Sequence, residues 1–220
     1  TIKSLFFLMI KFLNLYKQDK TILPSFFKEL RILLKKNDFI LGNKVIEFEK
    51  NFSKFCNTKF AIGVANGTDA LTIALNSLNL KKGSEVIIPA MTYCSTAFAV
   101  INANLKPVLV DIEKDSPTID ITSLKKKINS KTKVIMPVHL YGSVAKMNEI
   151  NRLIKGKNIF LIDDCSQAHG AAITANKNKK KMIGSIGDIS CFSLYPGKNL
   201  GAYGDAGIIT TNNKKFYNII

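Results

Sequence analysis

One lysine among many is placed where its chemistry would matter. Lys198 lies in the tract CFSLYPGKNLGAYGDAG (residues 191–207), between what reads as a buried strand, ISCFSL, and a glycine-rich turn. A lysine in such a segment, with its pKa depressed, acts as a nucleophile that forms Schiff bases. Ser193 offers a hydroxyl at the end of the same strand. Upstream, FLIDDCSQAHGA ends a buried apolar run with two adjacent carboxylates, Asp163 and Asp164, followed by Gln167 and His169. Unpaired charge at such a strand end is costly, so one carboxylate either caps local structure or binds a protonated group on a ligand. In ANGTDAL (65–71), Gly67 and Thr68 open a helix directly from a strand, which turns free N–H groups and the positive end of the helix dipole towards an anion. The same residues also fit ordinary turn and cap chemistry. Tyr93, in PAMTYCST, follows another strand and offers a flat face, as core aromatics also do.

These groups need a scaffold that brings strand ends together, and the periodicity of the chain provides one. KFAIGV (59–64), EVIIP (85–89), PVLVDI (107–112), KVIMPVHL (133–140) and NIFLID (158–163) read as strands. Between them, TDALTIALNSL (68–78), TAFAVINAN (96–104), DITSLKKKI (120–128) and AKMNEINRLIK (145–155) carry helical spacing. Strands apolar on both faces and joined by helices predict an α/β fold with a mostly parallel sheet covered on both sides. GDISCFSL (187–194) and GIITT (207–211) add strands, one of them open to an antiparallel place, and residues 25–56 read as two amphipathic helices split at FILGN. In such sheets a ligand sits outside the carboxyl ends of the strands, after Val64, Pro89, Asp163 and Leu194.

Composition narrows the classes. The chain of 220 residues carries 32 Lys+Arg against 16 Asp+Glu, a net charge of +16. The excess is nearly all lysine, with Arg31 and Arg152 the only arginines, and it is spread along the chain. Base and phosphate-backbone recognition favours the arginine fork, so a solvated lysine-rich surface is expected rather than nucleic-acid binding. The run NKNKKKM (176–182) reads as a solvated hairpin tip or loop. Cys56, Cys94, Cys165 and Cys191 show no C-x-x-C pair, and with only His139 and His169 beside them no metal site is expected. Free thiols fit a cytoplasmic protein. The apolar start, TIKSLFFLMIKFLNL, is too short and too interrupted by lysine for a membrane span and lacks a signal cleavage site. Residues 1–8 are expected to be upstream of a start at Met9, leaving residues 9–220 as one domain. No G-x-G-x-x-G follows the first strand, which disfavours a dinucleotide binder.

An anion site at the Gly67–Thr68 helix start, an aromatic platform at Tyr93, a carboxylate and a Schiff-base lysine together match pyridoxal 5'-phosphate, part by part. The order of motifs carries this further. FILGNKVIEFEKNF, GVANGTDAL, GSEVIIPAMTY, PVHLYG, LIDDCSQAHGA and GSIGDISCFSLYPGKNLGAYGDAG resemble the sugar aminotransferases of the DegT/DnrJ/EryC1/StrS group, from Met9 to Ile220.

That resemblance implies a fold type I large domain and a role for each residue. Lys198 falls on the cofactor-bearing, proton-shuttling lysine and Asp164 on the partner of the ring nitrogen. Gln167 falls near the ring and its phenolic oxygen, and Tyr93 on the stacking aromatic. Ser193, with the backbone of Gly67, Thr68 and Asp69, falls on the phosphate cradle. Asp163 stands where the family commonly has glutamate and is read as structural; His169 receives no chemical role. The implied reaction moves an amino group from an amino acid, usually glutamate, to a keto group of a nucleotide-linked deoxysugar, 3-keto rather than 4-keto, for polysaccharide or glycan synthesis. Lysine at 198, where a dehydrating subgroup has histidine, points to amino transfer. The family also implies a homodimer and a small domain beyond Ile220. The present chain is therefore expected to be the large-domain part of a longer enzyme, the alternative being a truncated, non-catalytic binding or regulatory protein.

Overall fold

The structure, a computed structural model, describes residues 12–174 and 180–220. The expectations for residues 1–8 and for 176–179 lie outside the described residues. The chain divides into two compact units, Thr1–Lys44 and Val45–Ile220.

In the first unit, helix α1 (Leu15–Asp19) is capped by Asn14, whose side chain accepts from Lys17 N at 3.0 Å. Helix α2 (Leu23–Lys36) has proline in its first turn and stops at Asn37, which adopts the left-handed conformation (φ 52°) that ends helices without strain in glycine and asparagine. None of its residues is buried, and Phe27 and Leu34 are exposed. Asp38 then accepts from the Asn43 main chain at 3.0 Å and starts helix α3 (Asn43–Cys56).

The second unit is built on a seven-stranded mixed sheet. Its strands are β1 (Phe60–Val64), β2 (Glu85–Pro89), β3 (Lys106–Val110), β4 (Thr132–Ile135), β5 (Phe160–Asp164), β8 (Ile189–Ser193) and β9 (Gly207–Thr211), in the order β1-β9-β8-β5-β4-β2-β3. The pairs from β8 to β3 are parallel, whereas β9 runs antiparallel to both β8 and β1. The antiparallel member is therefore β9, and every other strand points the same way. A short hairpin, β6 (Ala172–Thr174) with β7 (Lys180–Met182), stands apart. Residues 180–182, within the run read from sequence as a hairpin tip or loop, form its second strand.

Alternation along the strands explains why the sheet needs cover on both sides. Val86, Ile88, Ile162, Ile189 and Ile209 pack with Leu71 and Leu75 of α4 (Gly67–Ser77) and Val100 of α5 (Cys94–Asn102). Their neighbours Ile87, Ile135 and Leu161 pack on the opposite face with Leu124 of α6 (Ile121–Lys127) and Ile150 of α7 (Met147–Ile154). Phe52 and Cys56 of α3 meet Phe192 and Ile208 in a third cluster. Helix α8 (Lys214–Ile219) adds Phe216 to the first layer. β4 stops at Ile135 rather than running to Leu140, because Pro137 has no N–H to give the ladder. The chain rejoins the sheet through one parallel bridge, Val138 to Asp164, before a 3-10 turn at Leu140–Gly142.

Candidate active site

Because β1, β2, β4, β5 and β8 all point one way, their carboxyl ends meet along a single edge. A cleft of about 670 Å³ opens there, lined among others by Gly67, Tyr93, Asp164, Gln167, Ser193 and Lys198. Thr68 and Asp69 line it as well, so it gathers every residue singled out from sequence as a cofactor contact.

The β1–α4 connection is shaped by packing. Asn66 caps α4, its Oδ1 accepting from Asp69 N at 2.8 Å and its Nδ2 donating to Asp69 Oδ2 at 2.9 Å. The main-chain N–H of Asp69 is thus already committed, and the donors left at this helix start are those of Gly67 and Thr68. A Cβ on Gly67 would fall 2.6 Å from Ser193 Cβ, so only glycine lets β8 and the helix start approach this closely. A Cβ on Gly207 would likewise strike the Asn66 carbonyl. The result is a narrow floor of N–H groups and the Ser193 hydroxyl, suited to an oxyanion.

Asp164 is buried, with Oδ2 accepting from Thr96 Oγ1 at 2.9 Å and Oδ1 from Ser166 N at 3.1 Å. Thr96 is held in turn by Thr92, 2.8 Å away. Among the described residues no cation lies within ion-pair distance of this carboxylate. A buried carboxylate without a cation calls for a protonated partner in the cleft. Gln167 Oε1 accepts from Tyr141 N at 2.8 Å, which fixes the amide so that its NH₂ is the end left to donate. Tyr93, the N-cap of α5, stays exposed and lines the cleft.

Lys198 is half-buried on a loop pinched at its neck. Leu194 donates its N–H to Ala206 O and accepts from Ala202 N, both at 2.8 Å, and Lys198 N donates to Tyr195 O at 2.8 Å. Gly201 folds against the Pro196 carbonyl with no room for a side chain. The glycine-rich wording around Lys198 is what lets the loop close and return as β9.

Sequence reading missed Thr96, Ser95 and Asp205, which also line the cleft. Ser95 Oγ accepts from Thr68 Oγ1 at 2.9 Å, tying α5 to the anion floor. Nothing local in TYCST marks these hydroxyls, since their partners lie 27 and 68 residues away. His169 sits behind Lys198 with its ring edge-on to Phe52 and tilted on Phe192. Burial and the neighbouring Lys198 charge lower it to about 4, so it is neutral near pH 7, with the Ser193 backbone opposing them weakly. Asp163, by contrast, faces away from the cleft and is fully buried. Its Oδ2 takes donors from Gly187 N at 2.9 Å and Ser190 Oγ at 3.1 Å, and burial pushes the carboxyl up to about 7. His139, Asp163 and Cys165 bring three potential metal-ligand atoms within 4.8 Å of one another, a cluster that sequence spacing did not reveal.

A mixed sheet with an anion floor, a buried carboxylate and a loop-held lysine at one edge defines a vitamin B6-type transferase fold, and comparison agrees. The X-ray structure of S. venezuelae DesV in complex with a ketimine intermediate superposes with a TM-score of 0.89 at 34% identity, over 95% of this chain and 55% of that one. Residues 20–220 match the DegT/DnrJ/EryC1/StrS aminotransferase family, and the chain belongs to it. A dTDP-3-amino-3,6-dideoxy-alpha-D-galactopyranose transaminase of Aneurinibacillus thermoaerophilus is 42% identical over 93% of this chain and 55% of its own length. A pleiotropic regulatory protein of Geobacillus stearothermophilus is 37% identical over 93% of this chain and 54% of its own. The chain thus spans about half the length of the relatives it matches.

Proposed function

We propose that this chain is the cofactor-binding part of a pyridoxal phosphate-dependent aminotransferase. It moves an amino group from an amino acid, glutamate by preference, to a keto group of a nucleotide-linked deoxysugar. The observation that carries the reading is the convergence of Lys198, Asp164 and the Gly67–Ser193 floor on one cleft. The cofactor fits what is there: the floor admits no Cβ and presents donors, and the buried Asp164 lacks a cation.

When bound, pyridoxal phosphate supplies an aldehyde that captures amines and a ring that spreads negative charge. The chain does the rest. Gly67 N, Thr68 N and Ser193 Oγ would bind the phosphate. Asp164, aimed by Thr96, would hold a proton on the ring nitrogen. The free Gln167 NH₂ and the Tyr93 side chain would hold the ring in the cleft. Lys198 Nζ anchors the cofactor at rest, then takes and returns the substrate proton as general base and acid. A 3-keto sugar is favoured over a 4-keto one, in keeping with the 3-amino sugar in the name of the Aneurinibacillus relative. The same reading makes the full-length protein a cytoplasmic homodimer serving glycan or polysaccharide synthesis. Among the described residues no helix is long and apolar enough to cross a membrane.

Spectroscopy tests this. Protein purified with pyridoxal phosphate should show a visible band that borohydride abolishes and that Lys198→Ala lacks; absence of the band in unmutated protein rejects the proposal. The Geobacillus relative's name favours a second reading, a regulatory protein retaining the cleft, which predicts the band without amino transfer by the full-length protein.

A further inference from the structure

Behind Asp164, two buried polar atoms lack partners, and they are complementary. His139 is fully buried, and its Nδ1 accepts from Ala145 N at 3.2 Å. A neutral imidazole that accepts at Nδ1 must carry its proton at Nε2, and that atom has no partner. Asp163 is also fully buried; Oδ2 receives Gly187 N–H and Ser190 O–H, while Oδ1 receives nothing. One donor and one acceptor are therefore left over in a buried region, where such groups are nearly always paired. A ring nitrogen of His139 and a carboxylate oxygen of Asp163 lie within 4.8 Å of each other, so the two residues share one buried neighbourhood.

The backbone gives the pairing a consequence. His139 N donates to Asp164 O at 3.0 Å and Asp164 N donates to Pro137 O at 2.9 Å. The segment carrying His139 is thus laced to Asp164 on both sides, and Asp163 precedes Asp164 on the same strand. We infer that His139 Nε2–H donates to Asp163 Oδ1, and that this buried pair clamps the end of β5 and so aims Asp164 into the cleft. His139 and Asp163 are then positioning residues. Their effect on cofactor affinity rests on the function proposed above; the pairing itself does not.

Cys165 completes the donor types of a zinc site, yet its surroundings argue against a thiolate. Burial, then Asp163 and Asp164, push its thiol well above the ordinary value, and Sγ already donates to the Asp163 carbonyl at 3.7 Å. Asp163 faces His139 and Cys165, with Asp188 nearby raising its carboxyl, Lys181 lowering it, and Cys191 and Asp164 close by. With only the Gly187 and Ser190 donors, burial leaves that carboxyl at about 7. A third donor from His139 would pull it down.

Imidazole ¹H–¹⁵N spectra of the cofactor-free chain test the pairing, since it holds only His139 and His169. The pairing predicts an Nε2–H tautomer for His139 from about pH 5 to about pH 8, with a downfield Nε2 proton that Asp163→Asn moves upfield. In His139→Leu, Asp163 is left with two donors. The folded chain then holds a proton that the unfolded chain has released between about pH 4 and about pH 7, so stability falls as pH rises through that window. His139→Gln, which keeps a donor, should lack that slope and retain cofactor affinity, whereas His139→Leu should bind pyridoxal phosphate about tenfold more weakly. An Nδ1–H tautomer, a proton shift indifferent to Asp163→Asn, or stoichiometric zinc in the purified protein would overturn the inference. The unmutated spectrum decides the tautomer even if a variant fails to fold. A chain with the predicted spectrum but no affinity for pyridoxal phosphate would sink the proposed function and leave the pair standing.

Discussion

Asp163 and Asp164 are neighbours in sequence and belong to different regions of the molecule. Asp164 shares the face of Ile162, under α4 and α5, and looks into the cleft at the sheet edge. Asp163 shares the face of Leu161 and is enclosed with Gly187, Ser190 and His139. The alternation of a strand alone separates them. Burial is nearly equal, so burial does not distinguish a working carboxylate from a structural one; what each lacks does. Asp164 lacks a cation that only a ligand can bring, whereas Asp163 lacks one neutral donor that the protein already contains.

Substitutions should separate the two regions, beginning with the largest effect. Asp164→Asn keeps the shape and removes the charge, and amino transfer by the full-length protein should drop by about 10² to 10⁴ in a steady-state assay. Asp163→Asn should cost no more than about tenfold; equal losses would erase the distinction. Thr96→Val deletes the O–H that aims Asp164, and a spectral titration should find pyridoxal phosphate held roughly 10- to 100-fold more weakly. Gly67→Val forces a side chain into Ser193. It should lower stability by about 1–3 kcal/mol and abolish the melting-temperature rise caused by the cofactor, as thermal melts with and without it would show. The smallest effect is expected at His169, which the folded chain keeps neutral to about 4. The unfolded chain binds that proton from about pH 6.5 downward, so stability is lost between there and about pH 4. His169→Phe should lessen the slope of this part of an acid titration followed by circular dichroism, the rest coming from His139, which burial also lowers to about 4.

The parts of this architecture that were legible in sequence are those set by local pattern. EVIIP and GIITT are buried throughout because both faces are covered, and they form β2 and β9 with those limits. ANGTDAL announced a helix start, yet sequence could not show that the Asn66 side chain consumes the Asp69 N–H. β4 was expected to be longer, and the proline that ends it was visible in PVHL; what was hidden is the left-handed Tyr141 (φ 54°) in the turn beyond. Tyr93 was placed at the sheet edge, but Thr96, one turn further on, meets Asp164 only through the crossover that brings β2 beside β4, the neighbour of β5. The pairing of His139 with Asp163 depends on that same long-range assembly, and neither residue's neighbours in sequence foretell it.

The most direct measurement fixes the reactive amine itself. Protein loaded with pyridoxal phosphate, reduced with borohydride and digested, should carry the cofactor's mass on the peptide containing Lys198 and on no other of its many lysine peptides. Label spread over surface lysines, or none at all, would contradict the assignment of this cleft.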